Sequence, residues 1–163
     1  MKQHHVFSFL QRMGKSFMLP IAVLPVAGIF LGVGSSLTNE TTIAALHLES
    51  VLGQRTFLYS VLILLKQVGK VLFDNLPLIF AVSIALGMSK RRKEVAALAA
   101  IIAFFVMHAT INTLLCLDGS IVNGVVSNYI LDGSITSVCG MLSLEMGVFG
   151  GIVVGLGVSY LHN

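Results

Sequence analysis

The stretch GKSFMLPIAVLPVAGIFLGVGSSL, Gly14 to Leu37, carries no formal charge after Lys15, and the next charged residue is Glu40. The intervening 24 residues exceed the length of about 20 that a helix needs to cross a bilayer. A secretory leader has a shorter apolar region, about 7–15 residues, followed by a small-residue cleavage site. No A-x-A pattern follows here, so the stretch reads as a retained span. Pro20 and Pro25 would break a soluble helix. Inside a membrane, neighbouring helices can satisfy the carbonyls that prolines free. Gly28 and Gly32 form a G-x-x-x-G pair, which lets another helix come close. The span is therefore expected to pack against others.

The rest of the chain extends this reading. Of its 163 residues 56% are hydrophobic and 10% charged, against about 25% charged in an ordinary soluble domain. The mean hydropathy is +0.94. So few charges cannot cover a soluble fold of this size, whereas lipid covers most of a polytopic membrane protein. An all-α integral membrane bundle of four to five spans is predicted.

Thr38–Arg55 is polar and reads as a loop. From Phe57 to Phe73, Leu58, Val61, Leu62, Leu65 and Val68 recur at helical spacing, with Lys66, Lys70 and Asp74 four apart. This pattern predicts an amphipathic helix, interfacial or part of a broken, tilted span. The three polar residues either line a polar path or form a headgroup-facing stripe. Asn75–Ser89 adds 15 uncharged residues, short for a span alone, and a kink is expected at Pro77.

Lys90–Lys93 is a run of four cations between two apolar segments. It reads as a tight cytoplasmic loop under the positive-inside rule. A nucleic-acid site is excluded, because the cations are too few and spans flank them.

Val95–Leu117 is a further span, uncharged apart from titratable His108. Ala96/Ala100 and Ala99/Ala103 form small-x-x-x-small pairs on it. Leu117–Gly140 reads as an external loop with irregular or helical pieces. Met146–Leu161 is the last apolar segment, with Gly147, Gly151 and Gly155 on one stripe. The basic N-terminus (Lys2, Arg12, Lys15) and Lys90–Lys93 should share the cytoplasmic side, which requires an even number of crossings between them. Four crossings then place the C-terminus inside as well, and five would break the charge rule.

No P-loop, G-x-G-x-x-G, H-E-x-x-H or G-x-S-x-G motif is present, so no catalytic residue, metal or cofactor is assigned. Cys116 and Cys139 form no C-x-x-C pair and read as small buried residues. His108 lies near the middle of a span, with Asn112 one turn later. An ionisable group at that depth is a functional candidate, and these two residues are the weak substrate-binding candidates. The competing reading is a neutral His108 bonded to Asn112, Thr110 or a carbonyl of another helix. Glu145 reads as interfacial, and His4 and His5 as tail residues. Asn39-Glu40-Thr41 matches a glycosylation sequon that carries no weight by itself.

Three blocks go further than composition. GKSFMLPIAVLPVAGIFLGVGSSL resembles the first span of the membrane (IIC) component of the phosphoenolpyruvate-dependent sugar phosphotransferase system, glucose/maltose/N-acetylglucosamine group. NLPLIFAVSIALGMSKRRKEVAALAA is similar to its next block, and MGVFGGIVVGLGVSYLHN to the block closing its N-terminal half. The resemblance implies a homodimeric multi-pass permease of the bacterial inner membrane, with a cytoplasmic N-terminus. It also implies a glucose- or maltose-type sugar and IIA and IIB partner components. The long 117–140 connection leans toward the maltose/glucose type. The family's sugar-site Gly-Thr-Glu-Pro motif and the Cys-Ile-Thr-Arg-Leu motif of IIB do not occur. Residues 1–163 are therefore expected to be the scaffold and interface half, with the sugar-binding half and IIB absent. Gly28, Gly32, Ala96, Ala100, Gly147, Gly151 and Gly155 would be its packing positions. The alternative is a complete small membrane protein that binds and regulates a partner.

Overall fold

A computed structural model describes residues 2–53, 56–127 and 133–163, and they form two compact units. Unit one joins residues 1–20 to Asn75–Asn163, and unit two is Ile21–Asp74.

The chain opens on α1 (Lys2–Ser16), followed after Phe17 by α2 (Met18–Leu37). The tail expected at the N-terminus is thus helical, and Val6–Leu37 is apolar over enough length to cross a membrane. Pro20 sits in the first turn of α2, where no backbone donor is missed. Pro25 lies inside the helix, which runs on without ending there.

The expected loop at 38–55 instead contains two short helices, α3 (Glu40–Ala45) and α4 (Glu49–Leu52). Asn39 caps α3: its Oδ1 accepts from the Thr41 amide at 3.0 Å. That satisfies one of the donors a helix start leaves without a partner. Ile43 and Leu52 are buried beside Leu62 of α5 (Phe57–Asp74). Unit two is drawn tight where α2 meets α5. A Cβ on Gly34 would lie 2.6 Å from the Lys66 amide nitrogen, and one on Gly69 only 2.5 Å from that of Leu31. Each helix contributes a glycine that admits the backbone of the other.

Asn75 separates α5 from α6 (Leu76–Met88). The break therefore falls two residues before Pro77, which occupies the first turn of the new helix. A proline is tolerated there because its missing N–H would have had no intrahelical acceptor.

In unit one α6 is central. Phe80, Ala81, Ser83, Ile84, Ala85 and Met88 are all buried and Val82, Leu86 and Gly87 half-buried, so little of it reaches solvent or lipid over those turns. Three helices pack on it: α1, α7 (Lys93–Leu117) and α8 (Gly147–His162). The α8 contact is the closest. A Cβ on Gly151 would fall 2.0 Å from the Pro77 carbonyl oxygen, and one on Gly155 2.7 Å from that of Ala81. The two contacts advance four residues together on both helices, so α6 and α8 run parallel.

The 117–140 segment holds strands rather than the expected irregular or helical pieces. Ile121–Val122 (β1) pairs antiparallel with Val125–Val126 (β2), and Ile135–Val138 (β3) with Met141–Leu144 (β4). Both turns have two residues at positive φ, Asn123-Gly124 (53° and 75°) and Cys139-Gly140 (50° and 84°). This is the turn whose twist matches that of paired strands. The signal at the first hairpin, Asn-Gly between valines, is present in the sequence.

By length and composition α1–α2 and α7 can each cross a membrane, and α5 with α6 supplies a third crossing if the broken pair is one span. The 16-residue α8 is a shorter apolar helix.

Candidate functional site

Residues 96, 100, 104, 108 and 112 are four apart and form one row that winds gradually around α7. Ala96, Ala100, Phe104 and His108 are buried, and Asn112 is half-buried. The other sides of the helix are lined by exposed Leu98, Ile102, Val106 and Leu114. This single stripe does two jobs. At its start the small Ala96 and Ala100 pack with Ala85 of α6 and Val158 of α8. Farther along, larger and polar side chains receive the β3–β4 hairpin.

The hairpin is held at three levels. Val138 of β3 packs in a cluster with Phe104, Ala81 and Val154. The imidazole of His108 shares a 2.7 Å hydrogen bond, through Nδ1, with the Ser143 hydroxyl on β4. Asn112 donates from Nδ2 to the Leu142 carbonyl at 2.6 Å. Phe104 and His108 meet edge to face at 4.5 Å between ring centres. Ser143 is fully buried. His108 lies nine residues before the end of α7, about 14 Å along its axis at 1.5 Å per residue. The hairpin thus lies alongside the middle of the helix, not beyond its end.

The His108 partner is therefore none of those expected from the sequence. It is not Asn112, which binds the hairpin backbone instead. Nor is it Thr110, whose hydroxyl donates to the Val106 carbonyl within α7. The partner comes from a strand 35 residues onward. Serine alternating with apolar residues in MLSL was the available signal, but nothing local marked which helix it would face.

At the tip, the Cys139 thiol donates to Asn75 Oδ1 at 3.4 Å, joining the hairpin to the residue that breaks α5 from α6. Cys116 is exposed, and no disulfide links the two. At the base Thr136 donates to Glu145, and the Glu145 amide donates to the Ser134 carbonyl at 2.8 Å.

The remaining sequence candidates fall elsewhere. Among the described residues of unit two, nothing beyond its own helix lies within 4 Å of a Cβ built on Gly28 or Gly32, and one on Gly147 would meet Glu145 at 3.9 Å. Lys66 is half-buried, with its backbone against Gly34, while Lys70 and Asp74 are exposed. Side chains at His4 and His5 lie outside the described residues. Among the described residues no group of three or more His, Cys, Asp or Glu is placed to hold a metal ion.

The buried imidazole, the serine and the amide together hold the hairpin against α7 as one polar network. Comparison with known proteins supplies the context. The family described as Phosphotransferase system, EIIC matches residues 14–163. The chain belongs to this family. It is also 36% identical, over 158 residues, to a protein described as the PTS system glucose-specific EIICBA component of Staphylococcus saprophyticus subsp. saprophyticus. That alignment takes in 97% of this chain and 22% of the relative, so the chain spans about a fifth of the relative's length. Membership makes this EIIC chain a membrane protein, in keeping with its apolar helices of spanning length.

Proposed function

We propose that the chain is the scaffold and interface half of a glucose-type EIIC permease. In the complete protein the sugar crosses the membrane and is phosphorylated as it arrives. The observation that carries this reading is the 36% identity to a glucose-specific component across nearly the whole chain. A maltose-type substrate ranks second, because it rests only on the length of the 117–140 connection. IIA and IIB components would supply the phosphoryl group, and two copies of the permease would form a homodimer.

Within that half, Ala96, Ala100, Gly151 and Gly155 pack its own helices. The open faces of Gly28 and Gly32 are offered to a partner subunit. His108 and Asn112 act by positioning the β3–β4 hairpin. Breaks in membrane helices and non-helical backbone at membrane depth are tolerated where protein buries them or a polar path runs beside them. The hairpin tip at Asn75 is where this unit brings such backbone together. The N-terminus and Lys90–Lys93 face the cytoplasm.

The test is uptake. The complete protein, expressed in cells lacking their own glucose permease, should give phosphoenolpyruvate-dependent uptake of labelled glucose in preference to maltose and N-acetylglucosamine. Residues 1–163 alone should give none. Uptake by that segment alone would overturn the scaffold assignment, and preferred uptake of maltose would overturn the sugar.

A further inference from the structure

Arg12 and Lys90 are 78 positions apart in sequence, yet both line one cavity of about 730 Å³ in unit one. Three elements build it. α1 contributes Ser8, Phe9 and Arg12; the end of α6 and the turn after it contribute Met88 and Lys90; and α8 contributes Leu156, Ser159 and Tyr160. The framework is hydrogen-bonded at its floor. Arg12 donates to the Met88 carbonyl at 3.3 Å, Asn163 donates from Nδ2 to the same carbonyl at 3.2 Å, and the Lys90 amide donates to Asn163 Oδ1 at 2.7 Å. The Met88 bond employs one guanidinium nitrogen of Arg12, a side chain with five N–H donors in all.

No Asp or Glu side chain is among the described residues that line the cavity. Seven of the ten cations in the chain lie at positions 2, 12, 15 and 90–93, and Glu94 is the only acid near any of them in sequence. The wall is otherwise apolar and hydroxylic. Its surroundings are apolar too: Phe9 and Leu10 are exposed on α1, and Tyr160 and Leu161 are more than 80% exposed at the end of α8. A basic, hydroxyl-lined hollow surrounded by exposed apolar side chains, at one end of a set of apolar helices, matches an anion that carries its own acyl chains. An acidic protein segment would leave those side chains unmatched. Arginine pairs with phosphate through two parallel N–H donors, and lysine adds a point charge.

We infer that this cavity binds the phosphate of an anionic phospholipid such as phosphatidylglycerol. The headgroup would sit between Arg12 and Lys90, with the acyl chains running along Phe9 and Tyr160. The inference rests on the membrane location of the chain and not on which sugar is carried.

Native mass spectrometry of the complete protein in detergent tests it, with phosphatidylglycerol and phosphatidylcholine supplied in equal amounts. The expected result is retention of phosphatidylglycerol over phosphatidylcholine. Lys90→Gln, whose side chain makes no hydrogen bond in the structure, should weaken retention about tenfold, the scale of one charge-assisted contact. Arg12→Gln should weaken it further. Arg91→Gln removes the same charge from the same loop outside the cavity and should leave retention within about twofold. Equal loss in Arg91→Gln would mean diffuse attraction and overturn the site. So would equal retention of the two lipids. Displacement of the lipid by millimolar glycerol 3-phosphate would reassign the cavity to a free phosphate. Unchanged lipid retention in Arg12→Gln and Lys90→Gln, with loss of binding to a IIB module, would reassign it to a protein partner. None of these readings depends on sugar uptake.

Discussion

His108 shows how a polar residue becomes affordable on an apolar helix. A histidine left without a partner at that depth would lose its hydration for nothing, and the Ser143 hydroxyl 2.7 Å away removes that penalty. Ser143→Ala should therefore destabilise the fold by about 1–3 kcal/mol, because the buried imidazole is left unpaired. His108→Leu combined with Ser143→Ala should recover part of that loss, since removing both partners is cheaper than stranding one. Thermal denaturation in detergent, read by circular dichroism, separates the two. A double variant no more stable than Ser143→Ala would show that the bond is not the main contribution.

At the scale of elements, the glycines divide into those that touch backbone and those that touch nothing. Gly151 lies where an added methyl would collide with the Pro77 carbonyl, and neither backbone can yield without displacing α8 from α6. Gly151→Ala should cost about 3 kcal/mol, at the upper end for overpacking. Within a single copy of the chain Gly32→Ala meets open space, and in the detergent-separated monomer removing a flexible residue from a helix should be neutral or stabilising by about 0.5–1 kcal/mol. Unfolding midpoints of the two variants in one detergent compare them directly, and equal effects would disprove the α6–α8 contact. The same reasoning applies to the first hairpin. Gly124 sits at φ 75°, so Gly124→Val forces a β-branched residue into the left-handed region at about 1–3 kcal/mol. Sequence inspection could have found that hairpin from Asn123-Gly124 alone. It could not so readily have found the second, because Cys139 is an unusual residue at positive φ and is held there by its strands.

At the scale of the molecule, the cations organise the chain. Arg12 donates to the residue two before Lys90, so the basic N-terminal helix and the basic loop share one end of unit one, as the charge rule requires. Asn163 bonds to Lys90 and Met88 at that same end. Reporter fusions at the N-terminus and after Asn163 should therefore both report the cytoplasm. Opposite compartments would mean an odd number of crossings and would refute the four-span arrangement. The structure is consistent with four crossings only if the broken α5–α6 pair counts as one and the short α8 as another.

What the sequence determined by itself was the class of molecule and the order of its apolar segments. Both follow from local quantities: runs without charge long enough to span, and cations clustered in short loops. The family resemblance likewise lay in contiguous blocks. Local rules also allowed a small-residue face on each span, but not a decision about which face meets which helix. Gly28 and Gly32 satisfy the packing pattern as well as Gly151 and Gly155 do, yet among the described residues it is the latter pair that lies against another helix of its own unit. The tertiary structure alone decided that, and it alone brought Ser143 to His108 and Arg12 to Lys90. These pairings depend on a hairpin or a helix end arriving from 35 and more residues away. Such a partner is chosen by the packing of the whole unit, because a buried polar group accepts whichever complement the fold delivers.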